Sequence, residues 1–245
     1  MDKPARLRAD RLLVERGLFE SRAKAQAAIE AGLVTANNMA VRKASEEVAV
    51  DATLHATPAH PYVSRGGLKL AAALDRFGFD PKGRVCLDVG ASTGGFTQVL
   101  LERGAKRVIA VDVGRGQLHA SLRKRPEILS LEETDIRALT PARLGDAPSL
   151  VVIDVSFISL KPVLPAALAL VQLPAQLVAL IKPQFEAGRA ALKKGVVRDT
   201  VVHAAVCEDI TTFVVSLGWQ VKGVIPSPIT GGDGNTEFLL GAAHD

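Results

Sequence analysis

The sequence predicts an α/β protein in which a doubly wound, mostly parallel sheet of seven strands follows a small α+β module. Two observations predict the sheet. Strand-like and helix-like segments alternate from residue 85 onward, and a glycine-rich run directly follows the first strand-like segment. A third observation predicts the module, because residues 6–50 combine apolar residues at helical spacing with a short hairpin pattern.

Length and composition are those of a globular protein with two domains. The chain has 245 residues, of which 48% are hydrophobic and 23% are charged. This is long enough for one large core and a small accessory domain. Pro58, His60 and Pro61 form a stiff connection, so we expect the domains to span residues 1–60 and 61–245.

The first domain is predicted to contain two helices and a short hairpin. Gly17 and Gly32 are expected to end the helices, and Ser21 to cap the start of the second helix. The hairpin is expected around Asn37 and Asn38. Counted from Arg6, where the helical pattern begins, the apolar residues at helical spacing are Leu12, Leu13, Leu18, Ala23, Ala27, Ala28 and Ile29.

The second domain is predicted to open with a helix that begins at Gly66 and to continue with seven strands. In chain order, the strand-like segments are VCLDV, VIAVD, ILSLE, LVVIDV, LVALI, WQVKGVI and EFLLGA. No helical segment separates the last two. We therefore expect one of them to run antiparallel to its neighbours.

No segment has the pattern of a membrane span or an export signal. The longest apolar stretch, residues 160–181, contains Lys161, two glutamines and three prolines, which predicts a helix, a turn and a buried strand. The N-terminus lacks the apolar region of a signal peptide. Cys86 and Cys207 form no metal-binding pattern, so we expect a cytoplasmic protein without a metal site.

The run GASTGG, which starts at Gly90, predicts a nucleoside cofactor site. It lies between a strand and a helix, where doubly wound sheets bind ligands. Asp112 ends the second strand, 22 residues later, where it could accept hydrogen bonds from both ribose hydroxyls. The run departs from the GxGxxG pattern that receives a pyrophosphate. S-adenosylmethionine has no phosphate and is therefore the expected cofactor.

Acidic residues at strand ends extend this predicted site. Asp88 would suit the cationic amino group of the methionine moiety, and Asp135 could reach the adenine amine. Both could instead be loop acids without a ligand. The predicted cofactor-binding residues are Asp88, Gly90, Ala91, Ser92, Thr93, Gly94, Gly95, Asp112 and Asp135.

The charge of the chain suits a polyanionic partner. The formal charge is +4, and residues 1–25 hold seven lysines and arginines against four acids. A solvated helical face would have the same composition. Two further basic clusters could contact phosphates or remain solvated loops, namely residues 123–125 and Lys193-Lys194.

Several short motifs resemble one family over nearly the whole chain. They are RADRLLVERGLFESRAKAQAAIEAGLV, YVSRGGLKL, LDVGASTGGFT, VDVGRGQL, IDVSFISL, IKPQFE and SPITGGDGNTEFLL. In this order they resemble the TlyA-type ribosomal RNA 2'-O-methyltransferases, a family historically also labelled haemolysins. The resemblance implies a Rossmann-like, seven-stranded, S-adenosylmethionine-dependent methyltransferase domain of the FtsJ type, preceded by a small α+β S4-like RNA-binding domain.

The same resemblance implies a catalytic set and an RNA partner. The catalytic set would be Lys69, Asp154, Lys182 and Glu237. The substrate would be a cytidine of 16S or 23S ribosomal RNA, or of both, within ribosomal subunits. The residues expected to contact RNA are Arg6, Arg8, Arg11, Arg22, Lys24 and Arg65.

Lys182 is the central candidate for activating the ribose hydroxyl. If neutral, its amine could accept the hydroxyl proton, and if charged it could stabilise the developing oxyanion. Asp154 and Glu237 would favour the charged form, whereas burial and the nearby Lys69 would favour the neutral form. Both alternatives remain open at the level of sequence.

Two other functions compete with methyl transfer. One is a non-catalytic RNA-binding factor for ribosome assembly, which the intact set of four charged residues argues against. The other is a membrane-active haemolysin, which the absence of an apolar spanning pattern argues against. The sequence specifies no oligomeric state, and a monomer is compatible with it.

Overall fold

The computed structural model describes residues 5–188, 191–192, 195–231 and 234–245. The described chain divides between Pro61 and Tyr62 into two compact units, here called the N-terminal and C-terminal units. No helix of the described residues is long and apolar enough to cross a membrane.

The N-terminal unit contains the two helices that the sequence predicts. Helix α1 spans Ala9–Glu15 and α2 spans Arg22–Glu30. Gly17 and Gly32 follow them with φ of 71° and 73°, left-handed values that stop a helix and that glycine adopts at little cost. The Ser21 hydroxyl caps α2 by accepting a hydrogen bond from the backbone N–H of Lys24.

A three-stranded sheet follows these helices. Strands β2 (Val34–Ala36) and β3 (Met39–Ala40) form the predicted hairpin, and β5 (Leu54–Ala56) pairs with β2 on its other side. Asn37 and Asn38 both take positive φ, 49° and 63°. Two consecutive left-handed residues are the requirement of the tight turn whose twist matches a hairpin.

The start of the N-terminal unit differs from the prediction. Arg6 was expected to begin a helical segment, but β1 (Arg6–Arg8) is a strand that pairs antiparallel with β4 (Glu47–Ala49). The partners lie about 40 residues apart in the sequence. Such non-local pairing leaves no periodic signal in the local sequence, so the prediction for these residues was wrong.

The C-terminal unit is built on a seven-stranded sheet, as predicted. Its spatial order is β11-β12-β10-β9-β6-β7-β8. Strand β12 runs antiparallel to both neighbours, and the pairings among β10, β9, β6, β7 and β8 are parallel. The strands are β6 (Val85–Val89), β7 (Arg107–Val111), β8 (Ile128–Leu131), β9 (Leu150–Ile153), β10 (Ala175–Ile181), β11 (Gln220–Pro226) and β12 (Phe238–His244).

Helices cover both faces of this sheet. On one face α3 (Gly66–Phe77) and α4 (Gly95–Glu102) pack their leucines against β6, β10 and β12. On the other face α6 (Leu160–Leu168) and α8 (Thr200–Ser216) form a larger apolar cluster. Each fully buried leucine contributes roughly 1.5–3 kcal/mol to stability. The short helices are α5 (Ala120–Arg123) and α7 (Pro183–Glu186).

The doubly wound topology determines where side chains can converge. Strands β6, β7, β9 and β10 are parallel, so their carboxyl ends lie at the same edge of the sheet. The residues that follow these four strand ends include the glycine run, Asp112, Asp154 and Lys182. The apolar stretch 160–181 forms α6, a turn and β10, in agreement with the prediction.

Candidate active site

Two charged residues meet where neighbouring strands end. Asp154 directly follows β9 and Lys182 directly follows β10. Because these strands pair in parallel, their carboxyl ends are adjacent, and Lys182 Nζ lies 2.6 Å from Asp154 Oδ1. Lys182 is only 8% exposed, so the ion pair is largely withdrawn from water.

A second ion pair joins residues far apart in the sequence. Lys69 lies on α3, and Glu237 immediately precedes β12. Lys69 Nζ donates a hydrogen bond to Glu237 Oε2 at 2.5 Å. Both side chains are buried, at 8% and 3% exposure, which favours holding them as a matched pair because a lone buried charge would be costly.

One cavity of ≈ 290 Å³ brings the two pairs and the glycine run together. We call it the lysine cavity. Lys69, Asp154 and Lys182 line it, and Glu237 supports Lys69 through the contact just described. The glycine run contributes Gly90, Ala91, Ser92, Thr93 and Gly95, and other lining residues include Arg65, Ser156 and Thr230.

Glycine is required where the run passes the end of β9. Gly90 has φ of 83°, and a Cβ built there would lie 2.4 Å from the backbone oxygen of Asp154. Gly94 precedes α4 with φ of 94° and does not line the lysine cavity. A side chain at Gly94 would instead collide with Leu118 and Leu122. The run thus allows close backbone packing at the carboxyl end of the sheet.

A second cavity, of ≈ 450 Å³, adjoins the first. We call it the aspartate cavity because Asp112 and Asp135 line it. Asp112 accepts hydrogen bonds from the backbone N–H groups of Ser92 at 2.8 Å and Gly114 at 2.7 Å. This links the glycine run to the loop after β7. The residues that line both cavities are Gly90, Ser92, Asp154 and Ser156.

Asp135 already has a strong partner in the structure. The guanidinium of Arg137 donates to both of its carboxylate oxygens, and the Arg137 backbone N–H donates to it as well. These contacts hold the pKa of Asp135 below its usual range. An adenine amine would have to share or displace this partner, so adenine recognition by Asp135 stays a prediction.

Asp88 lies beneath the glycine run rather than on a cavity wall. Its side chain is fully buried, Oδ2 accepts a hydrogen bond from the Thr97 hydroxyl at 2.6 Å, and Oδ1 has no hydrogen-bond partner among the described residues. Burial, together with the carboxylates of Asp154 and Asp112, raises the pKa of Asp88 to about 7. Neither cavity includes it, so its contact with a cofactor stays a prediction.

A larger cavity than these two lies elsewhere. It measures ≈ 820 Å³, and its lining residues include His203 and Cys207 of α8 and Phe238 of β12. His203 contacts the backbone oxygen of Val197, and burial raises the pKa of the Cys207 thiol to about 11. Among the described residues, this cavity shares no lining residue with the lysine and aspartate cavities and is lined by no carboxylate. We therefore take the lysine cavity and the aspartate cavity as the candidate active site.

Comparison with known proteins matches two parts of the chain to two domain families. Residues 62–244 match the FtsJ-like methyltransferase family, and residues 7–54 match the S4 domain. The chain is 44% identical to the 16S/23S rRNA (cytidine-2'-O)-methyltransferase TlyA of Mycobacterium tuberculosis, over 96% of this chain and 89% of that protein. The chain belongs to the TlyA family. It is accordingly a methyltransferase.

Two further relatives extend the comparison. The 23S rRNA (cytidine-2'-O)-methyltransferase TlyA of Campylobacter jejuni is 41% identical over 73% of this chain and 69% of that protein. A solved structure of a candidate hemolysin from Streptococcus thermophilus is 43% identical, with a TM-score of 0.77 over 98% of this chain and 89% of that one. The fold predicted for the TlyA family is thereby confirmed in this chain.

In the S4 domain of this TlyA-family chain, two arginines predicted to contact RNA share one buried acid. Asp10 is fully buried, and Arg8, Arg22 and Gln26 all donate hydrogen bonds to its carboxylate at 2.7–3.1 Å. These contacts, the largest being that of Arg8, hold the pKa of Asp10 far below its usual range. The arginine side chains themselves remain about half exposed. Asp10 thus holds two guanidinium groups together at the surface.

The remaining predicted RNA contacts are more loosely held. Arg6 donates to the backbone oxygen of Glu47, Arg11 lies 3.8 Å from Glu15, and Lys24 pairs with Glu20. Arg65 is exposed and lines the lysine cavity. Of the two basic clusters, Arg123 and Arg125 contact the chain itself, and Lys193 and Lys194 lie outside the described residues. RNA contact by all these residues stays a prediction.

Sequence reasoning missed several residues of the two cavities. Ser156 is not part of a recognisable catalytic pattern in the sequence, yet its Oγ accepts a hydrogen bond from Lys182 Nζ at 2.9 Å. Phe157 has φ of 65° and is 91% exposed at the aspartate cavity, with its ring 5.2 Å from that of Phe185. Glu132 lines neither cavity but accepts hydrogen bonds from three backbone N–H groups of the loop after β7. For Ser156 and Phe157 the available signal was their place two and three residues after Asp154.

Proposed function

We propose that this protein transfers a methyl group from S-adenosylmethionine to the 2'-hydroxyl of a cytidine in 16S ribosomal RNA, 23S ribosomal RNA or both. The observation that carries the proposal is that the lysines of two buried ion pairs line one cavity with the glycine run. The names of the M. tuberculosis and C. jejuni relatives support the choice of substrate. Ribosomal subunits as substrate imply action in the cytoplasm.

The residues around the two cavities fit S-adenosylmethionine. Gly90 and Ser92 line both cavities, so the backbone of the glycine run borders the space assigned to the cofactor, and the orphaned Oδ1 of Asp88 could accept a hydrogen bond from an ammonium group. Each Asp112 oxygen accepts one backbone N–H and retains a lone pair for a ribose hydroxyl. When bound, S-adenosylmethionine supplies a methyl group on a positively charged sulfur. We assign its adenosine to the aspartate cavity.

Lys182 is assigned to the hydroxyl that receives the methyl group. A ribose hydroxyl is a poor nucleophile at neutral pH, so its oxygen must be activated and aligned. In the neutral form Lys182 accepts the hydroxyl proton, and in the charged form it stabilises the negative charge that develops on the oxygen. Asp154, at 2.6 Å, holds the Lys182 amine at the carboxyl edge of the sheet in either case.

Lys69 and Arg65 are assigned to holding the RNA. Both line the lysine cavity one helical turn apart at the start of α3. The Lys69 ammonium is oriented by Glu237 and can contact the target ribose or the adjacent phosphate. Arg65 has no acidic partner among the described ion pairs, so its guanidinium is available to a phosphate oxygen.

The test is transfer of a labelled methyl group from S-adenosylmethionine to purified small and large ribosomal subunits. Nuclease digestion and mass spectrometry then locate the product, which is expected to be a 2'-O-methylcytidine. Lys182→Ala should lower the rate by roughly 10²- to 10⁴-fold, the range for loss of an acid–base group. Lys161→Ala removes an exposed lysine that pairs with Asp209 on the helical face and should leave the rate unchanged.

Three outcomes would contradict the proposal or one of its assignments. Wild-type protein that binds S-adenosylmethionine but methylates neither subunit nor free ribosomal RNA would favour a non-catalytic RNA-binding assembly factor. A methylated base in place of a methylated ribose would exclude the proposed 2'-hydroxyl chemistry. A Lys182→Ala protein as active as wild type would remove Lys182 from the assigned role.

A further inference from the structure

Ser156 makes a contact that the four charged residues do not account for. It lies two residues after Asp154, in the segment that leaves β9. Its Oγ accepts a hydrogen bond from Lys182 Nζ at 2.9 Å, while Asp154 Oδ1 lies 2.6 Å from the same nitrogen. The reactive end of Lys182 is therefore held by two oxygens from one short segment.

These two contacts orient the Lys182 nitrogen. A lysine ammonium has three N–H groups in tetrahedral arrangement. One of them is donated to Ser156 Oγ. Asp154 Oδ1 lies 2.6 Å from the nitrogen as an ion-pair partner but accepts no hydrogen bond, and the described residues provide no third oxygen or nitrogen partner. Asp154 alone would therefore attract the charge of Lys182 without giving its nitrogen a hydrogen bond that fixes a direction.

Lys69 provides the contrast within the same cavity. Its nitrogen has a single partner among the described residues, Glu237, at 2.5 Å. The Lys182 nitrogen is contacted by oxygens of two different side chains, whereas the Lys69 nitrogen is contacted by one carboxylate. Contacts from two directions orient a nitrogen more closely than a contact from one. Orientation is the property that transfer to a single oxygen requires.

Ser156 also lies where the two halves of the proposed reaction would meet. It is one of the four residues that line both the lysine and the aspartate cavities. The residue that follows, Phe157, has φ of 65°, a left-handed conformation that is costly for a bulky side chain. Strained backbone of this kind persists where surrounding structure holds a turn in place, as at active sites.

We propose that Ser156 is a positioning residue that acts with Asp154 to aim Lys182 at the oxygen that is methylated. The inference rests on the proposed methyl transfer and adds a fifth residue to it. Ser156 need not contact the substrate or exchange a proton. Its hydroxyl oxygen limits the directions open to the Lys182 nitrogen, so its loss should slow the chemical step without weakening the binding of either substrate.

The test compares Ser156→Ala, Ser156→Thr and wild type in full-length protein. The rate of methyl transfer is measured in a single turnover with saturating S-adenosylmethionine and ribosomal subunits, and the KM for each substrate is measured separately. Ser156→Ala should lower the rate roughly tenfold to a hundredfold, as expected for misalignment of a reacting group, with both KM values within about twofold of wild type. Ser156→Thr retains the hydroxyl and should recover most of the rate.

Ser130→Ala serves as the matched control, because it removes an exposed serine hydroxyl from β8, away from both cavities. Its transfer rate should equal that of wild type. Thermal unfolding of every variant separates positioning from stability, since the proposal requires Ser156→Ala to unfold within a few degrees of wild type.

The possible outcomes are distinguishable. Wild-type protein without transfer activity overturns the proposed function and this inference with it. An active wild type with an equally active Ser156→Ala overturns the inference alone. So does a Ser156→Ala variant that is slow only because its KM rises or its fold is lost, or a Ser156→Thr variant as slow as Ser156→Ala.

Discussion

At the scale of single residues, Asp88 has the most perturbed environment of the acids near the candidate site. Its carboxyl group is fully buried, and the Thr97 hydroxyl compensates only one of its oxygens. Burial, reinforced by the Asp154 and Asp112 carboxylates and opposed by the hydrogen bonds from Thr97, raises its pKa from an ordinary value of 3.8 to about 7. The folded protein therefore holds a proton there that the unfolded chain releases.

This difference predicts how stability depends on pH. Between about pH 4 and pH 7 the folded state binds more protons than the unfolded state, so the free energy of unfolding falls as pH rises. Asp88→Asn removes the titration. Its stability relative to wild type should increase with pH over this range, by up to about 4 kcal/mol, and should level off above pH 7.

Denaturant unfolding of both proteins from pH 5 to pH 8.5 measures this prediction. If the amide also changes stability by an amount that does not depend on pH, the whole curve of unfolding free energy against pH shifts without a change in slope. Parallel curves for Asp88→Asn and wild type would mean that Asp88 is already ionised in the folded protein at low pH.

Individual residues could be predicted from the sequence more readily than their partners. The motifs singled out Lys69, Asp154, Lys182 and Glu237, and the structure brings all four to one site. The pairing of Lys69 with Glu237 joins positions 168 residues apart, which no local pattern encodes. Residues without a charge or motif of their own, such as Ser156, became visible only through distances.

At the scale of elements, the glycine run and the end of β9 form the closest backbone contact of the site. Two features require glycine at position 90. Its φ is left-handed, at 83°, and a Cβ there would lie only 2.4 Å from the Asp154 backbone oxygen. Gly83, just before β6, meets only the first requirement. Its φ is 72°, and a Cβ there would meet nothing within 4 Å.

The two glycines therefore form a matched pair for mutation. Gly83→Ala should cost roughly 1–2 kcal/mol of stability, the cost of a left-handed alanine, and should leave S-adenosylmethionine affinity unchanged. Gly90→Ala should cost more stability, because β9 or the run must move, and should weaken S-adenosylmethionine binding at least about tenfold, which corresponds to 1.4 kcal/mol. Thermal unfolding and calorimetric titration measure both quantities. Equal effects of the two variants would show that the close approach at Gly90 is unimportant.

Elements with a local signal were predicted well, and those held by distant partners were not. All seven strands of the large sheet were predicted, because buried strands between turn residues form a strong pattern. The missing helix between the last two segments predicted that one of them runs antiparallel, and in the structure that strand is β12. Strands β1 and β4 were missed, since three-residue strands depend on each other across the N-terminal unit.

At the scale of the whole molecule, the proposed cofactor binding and most of the proposed RNA binding are assigned to different units. The C-terminal unit contains both cavities, and the N-terminal unit contains the S4 domain with most of the predicted RNA contacts. Binding to RNA phosphates is electrostatic and weakens with salt, whereas S-adenosylmethionine carries no phosphate. Changes in surface charge on the S4 domain should therefore affect RNA binding and leave cofactor binding unaffected.

The ion pair of Arg11 and Glu15 on α1 allows a test of whether RNA binding depends on charge in the S4 domain. Neutralising the basic and the acidic residue should change RNA affinity in opposite directions. Both side chains are more than half exposed and 3.8 Å apart, so neutralising either one should change stability by less than about 1 kcal/mol. Arg11→Gln should weaken binding to ribosomal RNA and reduce the slope of log affinity against log salt by roughly 0.7 to 0.9, the value for one lost phosphate contact. Glu15→Gln should strengthen RNA binding, because it removes a negative charge beside that contact.

Filter binding at several salt concentrations measures both effects, and calorimetric titration should give the same S-adenosylmethionine affinity for all three proteins. If both variants bind RNA as wild type does, the face of α1 that carries Arg11 and Glu15 lies outside the RNA-binding surface, and the Arg8 and Arg22 guanidinium groups held by Asp10 become the next candidates for the phosphate contact.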